Sequence, residues 1–149
     1  MYSRILVPLE NSPYDPVILA HVRALAKHCG ASLVIIHVAD GWAARNMDAL
    51  QLRESAEIRE DRVYLDSVCD ELNAAGIQTE AVLASGDPAA EIAMAAEREK
   101  CDLIAMATHG HKLLADVILG SVASAVRHRS MIPVLLVRGA PVTNAPGPH

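Results

Sequence analysis

The chain has 149 residues, which fits one domain able to bury a sizeable core. Hydrophobic residues make up 52% of it, a composition that argues against disorder; with no Phe and one Trp, burial falls to Val, Ile, Leu and Ala. A formal net charge of −5 argues against nonspecific nucleic-acid binding, which needs many cations, yet leaves room for a local cationic pocket.

The first element is an apolar strand-like run, Ile5 to Leu9, which follows Met1-Tyr2-Ser3-Arg4 without a signal-peptide pattern. Asn11-Ser12-Pro13 offers caps and a proline suited to a first turn, ahead of Val17, Ile18, Val22 and Leu25 at helical spacing. Gly30 ends that helix. A second apolar run covers Leu33 to Val38, and the loop from Asp40 to Asn46, with Gly41 and Trp42, is expected to be mobile. A long helical pattern then runs through Ile58, Leu65, Val68 or Cys69, Leu72 and Ala75, with Gly76 as its stop. The third run is Ala81 to Ala84. Asp87-Pro88 opens a helix carrying Ile92 and Ala96. Leu103 to Ala107 is the fourth run, Ser121 to His128 the fourth helix, and Val134 to Val137 the fifth run. The tail, 139–149, holds three prolines and is expected to be disordered, leaving a domain over 1–138.

Four of the five runs are nearly unbroken by polar residues. Such strands are buried on both faces, as in a parallel sheet covered by helices. The alternation of strand and helix predicts an α/β, doubly wound, Rossmann-like five-stranded parallel sheet, order 3-2-1-4-5, with helices on both faces. No apolar run is long enough to span a bilayer, so the expectation is a cytoplasmic protein without membrane contact. Cys29, Cys69 and Cys101 are odd in number and widely spaced, and read as reduced thiols.

In an open parallel sheet, ligands bind beyond the carboxyl ends of the strands, near the switch in strand order. Here those ends are Pro8-Leu9-Glu10, Val38-Ala39-Asp40, Ser85-Gly86-Asp87 and Met106 to Gly110. The last is the most informative. Strand-like Leu103 to Met106 leads into Ala107-Thr108-His109-Gly110; nine residues later come Gly120-Ser121 and a helical pattern. Glycines let backbone N–H groups approach an anion, and a helix N-terminus adds free donors and a positive dipole end. His109 and His111 lack a third ligand nearby and read as loop histidines, so no metal site is expected. Lys112 reads as an exposed lysine or a phosphate neighbour, and His37 as a core-edge histidine.

Competing signatures are missing. There is no Gly-x-x-x-x-Gly-Lys loop and no Gly-x-Gly-x-x-Gly fingerprint. His109-Gly110-His111 lacks the His-x-Gly-His order of nucleotidyl transferases. A lone Glu10, with Ser85-Gly86 closing the third strand, does not suit a phosphoacceptor receiver.

The glycine spacing resembles the motif of the universal stress protein family: Gly, two residues, Gly, nine residues, Gly, then Ser or Thr. Ala107 stands where the first Gly is expected. The resemblance extends from Ile5 to Val137. It takes in Ile5-Leu6-Val7-Pro8 with Glu10 in place of the usual Asp, His37-Val38, Gly86-Asp87-Pro88 with Glu91-Ile92, Cys101 to Ile104, and Pro133 to Val137. It implies ATP binding, with Mg²⁺ accompanying the nucleotide. Gly110, Gly120, Ser121 and Val122 would face the triphosphate; Pro8, Glu10, Val38 and Met106 would line the adenosine end, and Leu9 and Ala107 would also belong to the nucleotide site. In chemical terms, Val38 and Met106 offer apolar contact to a base, and a carboxylate accepts hydrogen bonds from ribose hydroxyls. The effect of Ala107 turns on its backbone angle: an extended residue costs little, a positive φ would distort the pocket.

The resemblance also implies a homodimer paired antiparallel through Val134 to Val137, an apolar strand with no internal charge that would otherwise form an open sheet edge. No catalytic group is apparent. Backbone donors hold ground and transition states alike, so the expectation is a stress-response sensor or regulator rather than an enzyme. Two other readings stay open: an interaction module of the same fold without nucleotide, and a slow ATPase.

Overall fold

The structure, a computed structural model, describes residues 1–40, 51–109 and 114–139. Within them the order is β1 (Arg4–Pro8), α1 (Asp15–Cys29), β2 (Ser32–Asp40), α2 (Gln51–Ala74), β3 (Thr79–Gly86), α3 (Pro88–Arg98), β4 (Leu103–His109), α4 (Leu114–Arg129) and β5 (Val134–Gly139). The five strands form one parallel sheet in the expected order, β3-β2-β1-β4-β5.

Strand periodicity of two explains the two cores. Ile5, Val7, Leu33, Ile35, Leu103 and Ala105 point to one face, where Ile18 and Val22 of α1 and Leu65, Val68 and Leu72 of α2 cover them. Leu6, Val34, Ile36, Ile104 and Met106 point to the other, against Ile92 and Ala96 of α3 and Ala123 and Val126 of α4. The near-continuous apolar runs of β1, β2 and β4 are therefore buried on both sides, whereas that of β5, at the sheet edge, is only partly buried. Full burial of one such Leu or Ile side chain is worth about 1.5–3 kcal/mol.

Helix boundaries follow local chemistry. Gly30 caps α1 at φ 68, and its N–H donates to the Ala26 carbonyl. Asp87 caps α3, its side chain accepting from the Ala90 N–H, with Pro88 in the first turn. Two boundaries differ from the expectation. α1 begins at Asp15, with Tyr14 at its N-cap and Pro16 in the first turn; Asn11-Ser12-Pro13 instead form the turn leading to it, Asn11 having φ 60. α4 begins at Leu114, so Gly120 and Ser121 lie inside a helix and not at its start. Leu114, Ala115 and Leu119 are strong helix formers, and an interior Gly costs only about 1 kcal/mol against Ala.

β5 continues to Gly139, two residues past the expected Val137. A side chain there would meet Val17 of α1, whose Cγ1 lies 2.5 Å from where a Cβ would stand. The Asp40 to Asn46 loop beyond Asp40, and the tail beyond Gly139, lie outside the described residues. Among the described residues, no helix is long and apolar enough to cross a membrane.

Candidate functional site

The chain winds from β1 outward to β3, then crosses back to place β4 on the other side of β1. This is the switch point where an open sheet leaves a crevice at its carboxyl ends. A cavity of ≈ 210 Å³ occupies it, lined by Pro8, Leu9 and Glu10 after β1, Ile36, His37 and Val38 of β2, Met106 and Ala107 of β4, Pro88 and Ile92 of α3, and Val122 of α4. The volume is below the roughly 300–1,000 Å³ of sites that enclose a whole ligand. It suits one flat, apolar part of a larger molecule.

Seven sequence-derived site residues meet here: Pro8, Leu9, Glu10, Val38, Met106, Ala107 and Val122. Gly110, with His111 and Lys112, lies outside the described residues. Gly120 and Ser121 belong to the backbone of α4, just before Val122. Ala107 lies within β4, opposite Val137 of β5. Positive φ among the described non-glycine residues occurs only at Asn11 and Lys100, so the alanine adds a methyl group to ordinary extended backbone.

Four wall residues were not anticipated: Ile36, His37, Pro88 and Ile92. Ile36 was readable, because it shares a strand face with Val38. In sequence Pro88 and Ile92 mark the opening of a helix; that this helix covers the mouth of β2 is a tertiary fact.

The loop after β1 is held by polar groups on the opposite face. Glu10 is half-buried, and its Oε2 accepts from Ser12 Oγ at 2.9 Å. The Asp15 carboxylate accepts the backbone N–H groups of Glu10, Asn11 and Ser12. The ring of His37 lies between the Leu9 carbonyl, 2.9 Å from Nδ1, and Asp61 Oδ2, 3.2 Å from Nε2. Strand alternation places this ring on the Ile35 side of the sheet, behind the wall formed by Ile36 and Val38.

A larger open groove, ≈ 780 Å³, runs between α1 and α2. Its walls are helix surfaces, and Arg23 and Glu71 pair there at 3.8 Å. None of its lining residues belongs to a strand. The smaller, more apolar cavity at the switch point is the stronger candidate.

Known proteins agree with this architecture. The Universal stress protein family matches over residues 1–138, and the chain belongs to that family. Universal stress protein MJ0577 of Methanocaldococcus jannaschii is 28% identical, the match covering 93% of this chain and 96% of that protein. Its solved structure superposes with a TM-score of 0.78 at 28% identity, covering 95% of this chain and 99% of that one. A universal stress protein solved in complex with cAMP has a TM-score of 0.70 at 22% identity, over 91% of this chain and 97% of that one. One from Archaeoglobus fulgidus, solved in complex with dAMP, has 0.67 at 19%, over 91% and 98%. At these identities the last two show a shared fold.

Proposed function

We propose that this protein binds ATP at the switch-point cavity and acts as a homodimeric regulator in a stress response. The observation that carries the reading is the convergence of Pro8, Glu10, Val38, Met106 and Val122 around one cavity at the carboxyl end of the sheet. Val38 and Met106 would sandwich the adenine ring, and Glu10 would accept from a ribose hydroxyl. The triphosphate would extend over Gly110 and the start of α4. The related structures with cAMP and dAMP support an adenine nucleotide as the ligand class.

Phosphate contact by Gly120 and Ser121 has a structural requirement. A helix leaves free only its first four N–H groups, here those of residues 114–117. Residues 120 and 121 offer theirs only if the turns before them open on binding, and Gly120 lowers the cost of opening. Among the described residues no three His, Cys, Asp or Glu side chains converge as a metal site. The Mg²⁺ would therefore arrive on the nucleotide's own phosphates. Uniform binding of this kind gives no acceleration, so turnover should stay well below about 1 per second.

Titration calorimetry with Mg-ATP tests the reading. Saturable binding is expected, tighter for ATP than for AMP, and lost in Val38→Trp, where the indole would fill the cavity. No heat at millimolar ATP would leave the interaction module that binds no nucleotide as the better account.

A further inference from the structure

Asp15 is a buried carboxylate to which the pocket reading assigns no task. It is 1% exposed at the first position of α1. Its Oδ1 accepts the Glu10 N–H at 3.0 Å, and its Oδ2 accepts those of Asn11 at 2.8 Å and Ser12 at 3.3 Å. The Tyr64 hydroxyl of α2 donates to the same Oδ2 at 2.6 Å. A buried carboxylate is tolerated only when donors surround it, and here they come from one loop and one distant helix. Three successive N–H groups drawn onto one carboxylate bend the chain sharply, which accounts for Asn11 at φ 60.

Tyr64 is suited to its part. Burial first, then the hydrogen bond to Asp15, push its phenol well above the ordinary value, so it stays a donor. One turn earlier, Asp61 of α2 accepts from Asn11 Nδ2 at 3.2 Å and faces His37 Nε2 at 3.2 Å. The loop carrying Glu10 is thus gripped by α1 and α2 together.

We propose that Asp15, latched by Tyr64, is the positioning residue that sets Glu10 for a ribose hydroxyl, coupling the long helix α2 to the nucleoside end of the pocket. The proposal rests on the nucleotide reading above. Asp15 touches no ligand; it acts through the backbone of residues 10–12. Helix α2 is then a route by which an event on its surface changes affinity, or by which occupancy is felt there.

Two measurements on the full chain test it. In hydrogen exchange without nucleotide, the amides of residues 10–12 should be protected, and Tyr64→Phe and Asp15→Asn should speed their exchange on the order of tenfold. The amides of Ile104 and Ala105 in β4 should not change. In ATP titrations both variants should bind on the order of tenfold more weakly. In a Glu10→Ala background, Asp15→Asn should have no further effect, because Glu10 is the group through which it acts. Unchanged exchange at 10–12 would overturn the latch. Faster exchange with unaltered ATP affinity, or a loss that simply adds to Glu10→Ala, would overturn the coupling while leaving the nucleotide reading standing. A native protein that binds no ATP would overturn that reading and this role with it. Should Asp15→Asn fail to fold, Tyr64→Phe, which keeps the carboxylate and the ring packing, carries both measurements.

Discussion

His37 and Asp61 face each other across β2 and α2, Nε2 to Oδ2 at 3.2 Å, while the other ring nitrogen lies 2.9 Å from the Leu9 carbonyl. The two side chains are 13% and 17% exposed, which sets this pair apart from the exposed ion pairs of the surface. A double-mutant cycle of His37→Gln and Asp61→Asn, followed by urea unfolding, should give a coupling of about 1 kcal/mol. Additive effects would show that the pair contributes nothing beyond its separate packing.

Acid stability should depend on the other end of the sheet. Burial disfavours charge on Asp102, but the backbone N–H groups of Ser3 and Arg4 outweigh it and hold the carboxyl below its ordinary value. A carboxyl depressed by folding contributes stability that is complete above its unfolded pKa, about 3.9, and is lost as pH falls through the folded value. Asp102→Asn should therefore melt below the native protein at neutral pH, and the gap between the two melting temperatures should narrow at acid pH as the carboxyl takes up its proton. A gap of constant size at both pH values would contradict this.

Cys101 should be unreactive in the folded protein. It is 5% exposed, and burial pushes its thiol up to about 11 against the opposing pull of Arg4. Little thiolate exists at neutral pH, and little of it is reachable. Maleimide labelling read by peptide mass spectrometry should modify Cys29 and Cys69, which are partly exposed, before Cys101. Labelling of Cys101 at the same rate without denaturant would refute its burial.

Gly86 joins β3 to the cap of α3 at φ 131, a region L side chains rarely adopt. An added Cβ would also stand 3.1 Å from Glu91 Oε1, a flexible end that can move aside. The backbone term should therefore dominate, and Gly86→Ala should cost about 1–3 kcal/mol in urea unfolding. A loss under about 0.5 kcal/mol, the size of an ordinary surface substitution, would mean the turn readjusts freely.

Among the described residues the outer edge of β5 has no neighbouring strand, and Leu136 on it is 44% exposed. An open apolar edge invites pairing, and a second copy is the expected partner. Light scattering should report twice the chain mass of 15.9 kDa. Leu136→Lys should yield monomer or precipitate; a native monomer together with a soluble, unchanged variant would remove the proposal.

Strand and helix identity were legible because the pattern is local. Continuous apolar runs such as Leu33 to Ile36 mean burial on both faces, and Gly30, Gly76 and Asp87-Pro88 stop or start helices by their own backbone preferences. Strand order and the crevice at the β1–β4 switch followed from the doubly wound class, which brought Glu10, Val38, Met106 and Val122 to one place. The start of α4 was not legible, since Gly120-Ser121 reads equally as a helix opening or as a tolerated interior.

Asp15 shows most clearly what the tertiary structure alone decided. Beside Pro16 at the start of a helix it reads as an ordinary first-turn acid, favoured there by the helix dipole. Three of its donors are the local N–H groups of residues 10–12, but the fourth, the Tyr64 hydroxyl, comes from α2, 49 residues further along the chain, and only packing lays it against the carboxylate. The same holds for His37, which meets Leu9 and Asp61 only when β2 lies beside β1 beneath α2. Local sequence carries periodicity and backbone preference. A hydrogen bond between distant side chains depends on how whole elements pack, and no spacing along the chain encodes it.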